Sequence, residues 1–189
     1  MITRRSLLTA IAATMAATSP ALAAKPKKPF VVDPVYVPQP VEFASAFSTG
    51  TIVIDTGNRF LYLIETDATA RRYGIGVGRV GLDFAGTLEV ARKAEWPFWK
   101  PTRSMIKRNP KRYARYANGM RGGRKNPLGS RALYLYQGEA DTFLRIHGTT
   151  EPWTIGRAVS NGCFRMVNEH VEDLYGRVPV GTKVVILQR

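Results

Sequence analysis

One cysteine and two histidines are present in 189 residues, so the side chains able to act as nucleophile or proton carrier near neutral pH are few. Cys163 lies in Ser160-Asn161-Gly162-Cys163-Phe164-Arg165, where a glycine directly before the sulfur permits positive φ and close approach of a substrate. Amides of such a tight turn can converge on a developing oxyanion. A thiol of ordinary pKa, about 8.5, is only slightly ionised at neutral pH. As a nucleophile it needs a base within hydrogen-bond reach, or a partner that keeps it as a thiolate–imidazolium pair. His147 stands 16 positions upstream, at the end of Phe143-Leu144-Arg145-Ile146-His147. Two-residue alternation puts Leu144 and Ile146 on one face of that strand and His147 on the other. Gly148 follows, lets the chain turn at the end of the sheet, and leaves a backbone carbonyl beside the imidazole. The plainer alternative is that Cys163 is a small buried apolar residue.

The compartment sharpens that choice. Residues 1–23 have the layout of a secretory signal peptide: Arg4 and Arg5, an apolar stretch from Leu7 to Ala17, then Ala21-Leu22-Ala23. Thr3-Arg4-Arg5-Ser6-Leu7-Leu8 also resembles a twin-arginine export signal. The apolar stretch is shorter than the roughly 20 residues that span a bilayer. With no comparable stretch later on, the mature protein is expected to be soluble in the periplasm without a stable membrane anchor. A single cysteine cannot form an internal disulfide, so a thiol carried into an oxidising space calls for an explanation. Net charge is +14, and loss of Arg4 and Arg5 lowers it by two. Such a surface would concentrate the protein on an anionic polymer by long-range attraction.

The elements that must position these residues read as mainly β. Lys25 to Pro40, KPKKPFVVDPVYVPQP, is expected to be an extended tether, because its prolines fix φ and remove donors. Residues 24–40 are assigned to this tether and 41–189 to one catalytic domain. Short strands are predicted at Thr51 to Asp55, Arg59 to Glu65, Arg72 to Val77, Thr87 to Arg92, Arg131 to Gln137, Thr142 to His147 and Thr182 to Leu187, with a hairpin at Thr56-Gly57-Asn58. Residues 96–126 break the pattern with prolines, aromatics and many cations, and read as a helical basic insertion over one end of the sheet. One helix is expected after Cys163, with Asn168 as N-cap, Glu169 and Glu172 in its early turns, and Val171, Leu174 and Tyr175 on its apolar face.

Taken together, Ile146-His147-Gly148-Thr149, Glu151-Pro152-Trp153-Thr154-Ile155-Gly156 and Ser160-Asn161-Gly162-Cys163-Phe164-Arg165-Met166 resemble the signature of the L,D-transpeptidases, the YkuD-type domain. Asn126-Pro127-Leu128-Gly129-Ser130-Arg131-Ala132-Leu133 and Arg177-Val178-Pro179-Val180-Gly181-Thr182-Lys183-Val184 extend the likeness over roughly Thr51 to Leu187. The resemblance implies a curved, β-sandwich-like catalytic domain. It also implies Cys163 as nucleophile, His147 as base and then acid, and the Gly148 carbonyl orienting the imidazole. Amides around Gly162 and Cys163 would form the oxyanion hole; Asn161, Ser160, Arg165 and Trp153 would shape the substrate site. Asn161 stands where many members have His or Ser, and Phe84-Ala85-Gly86-Thr87 replaces a Thr-Pro-x-Gly segment. The implied substrates are peptidoglycan stem peptides, with a second stem, water or an outer-membrane protein as acceptor. No metal or organic cofactor is required.

Other motifs carry less. Gly76-Val77-Gly78-Arg79-Val80-Gly81 matches the dinucleotide pattern but opens no predicted helix to receive a pyrophosphate. His170 is expected to face solvent, and one Cys with two His makes a zinc site a poor reading. The insertion cations Lys107, Arg108, Lys111, Arg112 and Arg115 with Tyr113 and Tyr116 have the composition of a nucleic-acid surface, which export argues against. A solvated helical face, or a lid over Cys163, are the readings that remain. Trp153 reads as either a core anchor or a cleft wall.

Overall fold

A computed structural model of the chain describes residues 30–44, 46–78, 84–160 and 163–187. Among these, eleven strands join in one sheet: β1 (Gln39–Glu42), β2 (Ile52–Asp55), β3 (Phe60–Ile64), β4 (Thr69–Gly74), β5 (Gly76–Gly78), β6 (Gly86–Glu95), β7 (Arg131–Gln137), β8 (Ala140–His147), β9 (Ala158–Ser160), β10 (Phe164–Arg165) and β11 (Lys183–Ile186). Their order is β1-β4-β3-β2-β11-β6-β7-β8-β10-β5-β9. Ile75 alone separates β4 from β5 in sequence, yet the two strands are second and tenth in the sheet. The sheet must therefore curl until its ends approach each other. The predicted single strand from Arg72 to Val77 is divided at Ile75 for this reason, since the chain there crosses between the two ends.

The inside of the curve holds the main core, with Ile52, Ile54, Leu61, Tyr73, Leu133, Leu135, Ile146 and Phe164 among its fully buried members. Val53, between Ile52 and Ile54, faces the other way and packs in a smaller cluster with Ile64 and Ala70. Both faces of β2 are thus covered, as its continuous apolar run requires. The hairpin between β2 and β3 closes where predicted, with Asn58 N donating to Asp55 Oδ1 at 2.9 Å.

Three short helices complete the described fold: α1 (Arg103–Arg108), α2 (Pro110–Tyr113) and α3 (Asn168–Arg177). Val171 and Leu174 bury one face of α3 in the main core. Tyr73 donates from its hydroxyl to Asp173 Oδ2 at 2.6 Å, and Lys93 Nζ donates to the Tyr175 and Val178 carbonyls at 2.6 Å each. The lysine neutralises the negative end of the helix and satisfies carbonyls that no helical amide reaches. These contacts hold α3 against the sheet, which matters for the site.

Two expectations change. Gln39 and Pro40, assigned to a tether, belong to β1 and pair with Arg72 and Arg71 of β4. The proline is accommodated because β1 is an edge strand, where one side needs no donor. Asn168 is not the N-cap of α3: Val167 occupies that place without a side-chain cap, and the Asn168 carboxamide is engaged elsewhere. The signal segment lies outside the described residues. No helix among those described is long and apolar enough to cross a membrane.

Candidate active site

β10 runs parallel to β8 with Phe164 opposite Ile146 and Arg165 opposite His147. Phe164, Ile146 and Leu144 all enter the core, so alternation sends Cys163, Arg165, Arg145 and His147 to the opposite face. There they line a common cleft of about 700 Å³. Cys163 stands one strand across from His147 and two residues along.

The backbone at His147 is anchored on both sides: Met166 N donates to His147 O at 2.8 Å, and Gly148 N donates to Arg131 O at 3.0 Å. Nδ1 of the imidazole lies 2.5 Å from Gly148 O. A carbonyl can only accept, so the proton belongs to Nδ1 and Nε2 keeps its lone pair. The residue is 4% exposed. Burial pushes its pKa down to about 4; the Gly148 hydrogen bond opposes that, while the nearby Arg165 and Arg145 charges add to it. At neutral pH the imidazole is therefore uncharged.

Cys163 Sγ is 3.8 Å from Phe143 O. Burial raises the thiol pKa, against the lowering effects of the Arg145 charge, the Arg145 backbone N–H and the Arg165 charge. Both shifts favour a neutral thiol and a neutral imidazole over a standing ion pair. Phe143 itself is 77% exposed with φ +60°, a conformation rare for a residue with a Cβ.

Arginines flank the sulfur and are held firmly. Arg145 donates to both Asp141 carboxylate oxygens at 2.7 Å and lies 4.4 Å from the Tyr134 ring centroid, while Arg92 sits 3.4 Å from the same centroid. Arg165 Nη1 donates to Glu151 Oε2 at 2.9 Å, and Arg112 of α2 donates to Glu151 Oε1 at 2.9 Å. Partial burial works against the Glu151 charge, but the Arg112 hydrogen bond and the Arg165 charge hold its pKa below the ordinary carboxylate value.

The insertion forms the far wall of the cleft. Trp99 packs at 6.3 Å and 5.7 Å from the rings of Tyr113 and Tyr116, and its backbone bridges to Met120. Asn126, fully buried, donates to the Pro97, Met120 and Arg121 carbonyls and accepts from Leu128 N. Lys100, Arg108, Arg112, Arg115, Lys125, Arg145 and Arg165 line the cleft, with Glu151 as the one acidic residue among the described lining. Lys107 and Lys111 do not line it.

Residues 49–186 match the family described as YkuD, the L,D-transpeptidase catalytic domain. The chain belongs to that family.

Similar curated relatives of this L,D-transpeptidase domain are the Probable L,D-transpeptidase ErfK/SrfK of Escherichia coli, 31% identical over 81% of the chain and 48% of the relative. Probable L,D-transpeptidase YbiS of the same organism is 32% identical over 78% of the chain and 47% of the relative. The chain thus spans about half the length of these relatives. A crystal structure from Brucella melitensis, described as a Probable carnitine operon oxidoreductase caia, is 60% identical over 82% of this chain and 96% of that one, with a TM-score of 0.58. Mycobacterium tuberculosis L,D-transpeptidase 3 in complex with a faropenem-derived adduct shares the fold at 17% identity, 75% and 60% coverage and a TM-score of 0.52.

Within the L,D-transpeptidase domain the sequence-derived residues fall as follows. Cys163, His147, Gly148 and Arg165 come together. Asn161 and Gly162 lie outside the described residues; Ser160 ends β9, and its side chain is likewise outside the description. Trp153 is 51% exposed on the turn Pro152–Thr154, so it is no core anchor, and it is not among the residues that line the cleft. His170 is half-buried rather than solvent-facing. Gly76-Val77-Gly78 is buried strand β5, bonded to β10 and β9. Arg145, Glu151, Asn126 and Asn168 were given no role at the site from sequence: alternation along β8 pointed to Arg145, Glu151 and Asn126 open two of the signature segments, and nothing local pointed to the part played by Asn168.

Proposed function

We propose that this chain is an exported, cysteine-dependent peptidoglycan L,D-transpeptidase. The observation that carries the reading is His147: buried, uncharged at neutral pH, with Nδ1 bound to Gly148 O and Nε2 left to take a proton in a cleft that Cys163 shares. A thiol raised by burial cannot act unaided, so the neutral imidazole is the group that ionises it.

In the proposed reaction Nε2 takes the thiol proton as Cys163 Sγ attacks the carbonyl joining the L-centre of diaminopimelate to the terminal D-Ala of a tetrapeptide stem. Negative charge builds on that carbonyl oxygen, facing the amides near Gly162 and Cys163. Collapse breaks the peptide bond, His147 returns the proton to the departing amine, and a thioester remains. An amine of a second stem then attacks the thioester and gives a 3→3 cross-link; an outer-membrane protein amine would be attached instead by the same step, and water would give a shortened stem. The cationic lining suits a substrate rich in carboxylates.

The test is incubation of the mature protein with tetrapeptide-rich wall fragments and mass analysis of the products. Cross-linked dimers support the transpeptidase, shortened stems the hydrolase, and no change would remove both.

A further inference from the structure

Asn168 Oδ1 accepts two backbone hydrogen bonds, from Ser130 N at 3.2 Å and Thr149 N at 3.2 Å. Only the oxygen of a carboxamide can face two N–H groups, so the orientation of the side chain is fixed by its partners. Thr149 N belongs to the peptide whose carbonyl is Gly148 O. A trans peptide is planar, and its N–H and C=O point in opposite directions. Holding the N–H of that peptide toward Asn168 therefore holds the carbonyl toward the other side, where His147 Nδ1 lies 2.5 Å away.

The residue that carries this plane supplies no side chain to steady it. Gly148 has no Cβ and the widest backbone freedom of any residue. Its own N–H is bound to Arg131 O, which fixes the preceding peptide rather than the following one. The local packing is built around the carboxamide: a Cβ at Gly148 or at Gly129 would run into Asn168 Oδ1. Asn168 in turn stands on the first turn of α3, which Tyr73, Lys93 and the main core hold in place.

We infer that Asn168 is a positioning residue for the reaction: by pinning the Gly148–Thr149 peptide plane it aims the Gly148 carbonyl at His147 Nδ1 and so keeps the proton on Nδ1 and the lone pair on Nε2. The inference rests on the proposed cysteine chemistry for its purpose, but not for its geometry. Without the pin the carbonyl rotates away, the proton distributes over both ring nitrogens, and the fraction of enzyme with a usable base falls.

Nitrogen-15 spectra of the histidine side chains of the substrate-free protein at pH 7 test this without reference to activity. Two histidines make assignment simple, with His170→Gln identifying His147. Wild type is expected to show His147 as one tautomer, protonated at Nδ1. Asn168→Ala and Asn168→Gln, which remove or displace the acceptor, should show both tautomers. Their kcat on stem peptide should fall about 10- to 100-fold with KM little changed, a part of what positioned acid–base catalysis contributes. Asn168→Asp, which keeps an acceptor oxygen for both amides, should retain the wild-type tautomer. A folded Ala or Gln variant with an unaltered tautomer overturns the inference, as does an Asp variant behaving like Ala. If neither Ala nor Gln folds, Asn168 is a purely structural residue and the assignment is withdrawn. Failure of the cysteine chemistry would appear separately, as turnover surviving in Cys163→Ala.

Discussion

Arg165 donates to Glu151 Oε2 at 2.9 Å, and through the other oxygen of that carboxylate the residue beside the sulfur is joined to the helical insertion. One side chain thus ties a strand of the curved sheet to a wall of the cleft. Isolated surface ion pairs contribute little, but this carboxylate is shared by two guanidiniums and partly screened from solvent.

Replacing Glu151 by Gln should leave the fold intact, with a stability loss of about 1 kcal/mol. Arg112 and Arg165 would lose their common anchor. Amide hydrogen exchange over 103–116 is expected to accelerate, and kcat/KM on stem peptide to fall about tenfold. Unchanged exchange in that segment would show that the Glu151 bridge does not hold the insertion.

The pH dependence follows from the burial of His147. Its pKa in the folded protein is about 4, against 6.5 for the ordinary group. The acid limb of kcat/KM, measured on free enzyme, should therefore have its midpoint near 4 and not near 6.5. Stability moves in the same sense. Between those values the unfolded chain binds more protons than the folded one, so the contribution of His147 is complete above the window and lost as pH falls through it, about 3 kcal/mol in all. Denaturant midpoints of wild type and His147→Gln across pH 4 to 7 would measure it.

Arg145→Gln should raise the Cys163 thiol pKa further, because the charge of Arg145 is the foremost influence holding it down against burial. Alkylation of Cys163 by iodoacetamide at pH 7 is expected to slow, because a smaller fraction of the thiol is then ionised. The rate difference should shrink as pH rises. An alkylation rate equal to wild type would mean that the Asp141 pairing already neutralises the guanidinium.

Gly148→Ala would place a methyl group against Asn168 Oδ1 and within 3.1 Å of Ser130 N. Such overpacking costs about 1–3 kcal/mol. A lowered Tm together with a strong loss of kcat is expected. Thermal unfolding and turnover measured on the same preparation check both.

Much of the chemistry was legible in the residue order. A lone cysteine after glycine, a histidine closing an alternating strand, and a glycine carbonyl next to it suffice to propose the pair, because scarcity and period-two alternation are local properties. The strands Arg131 to Gln137 and Thr142 to His147 were readable for the same reason. Local pattern failed where a residue serves a distant segment. Asn168 has the type and place of a helix cap, yet its oxygen binds amides 38 and 19 positions away. Pro40 looks like a linker residue because nothing nearby reveals that an edge of the sheet will accept it.

What the sequence by itself determined is the choice of Cys163 and His147 as the pair proposed to react, and the mainly β frame that brings His147 to a strand end. Tertiary structure alone decided the depth at which the imidazole is buried, hence its charge, and which carboxylates hold the arginines beside the sulfur. It also decided how Glu151 and Asn168 are engaged. The physical reason is that charge states and hydrogen-bond partners depend on groups gathered by the curl of the sheet, and neither spacing nor composition records which distant groups that curl brings together.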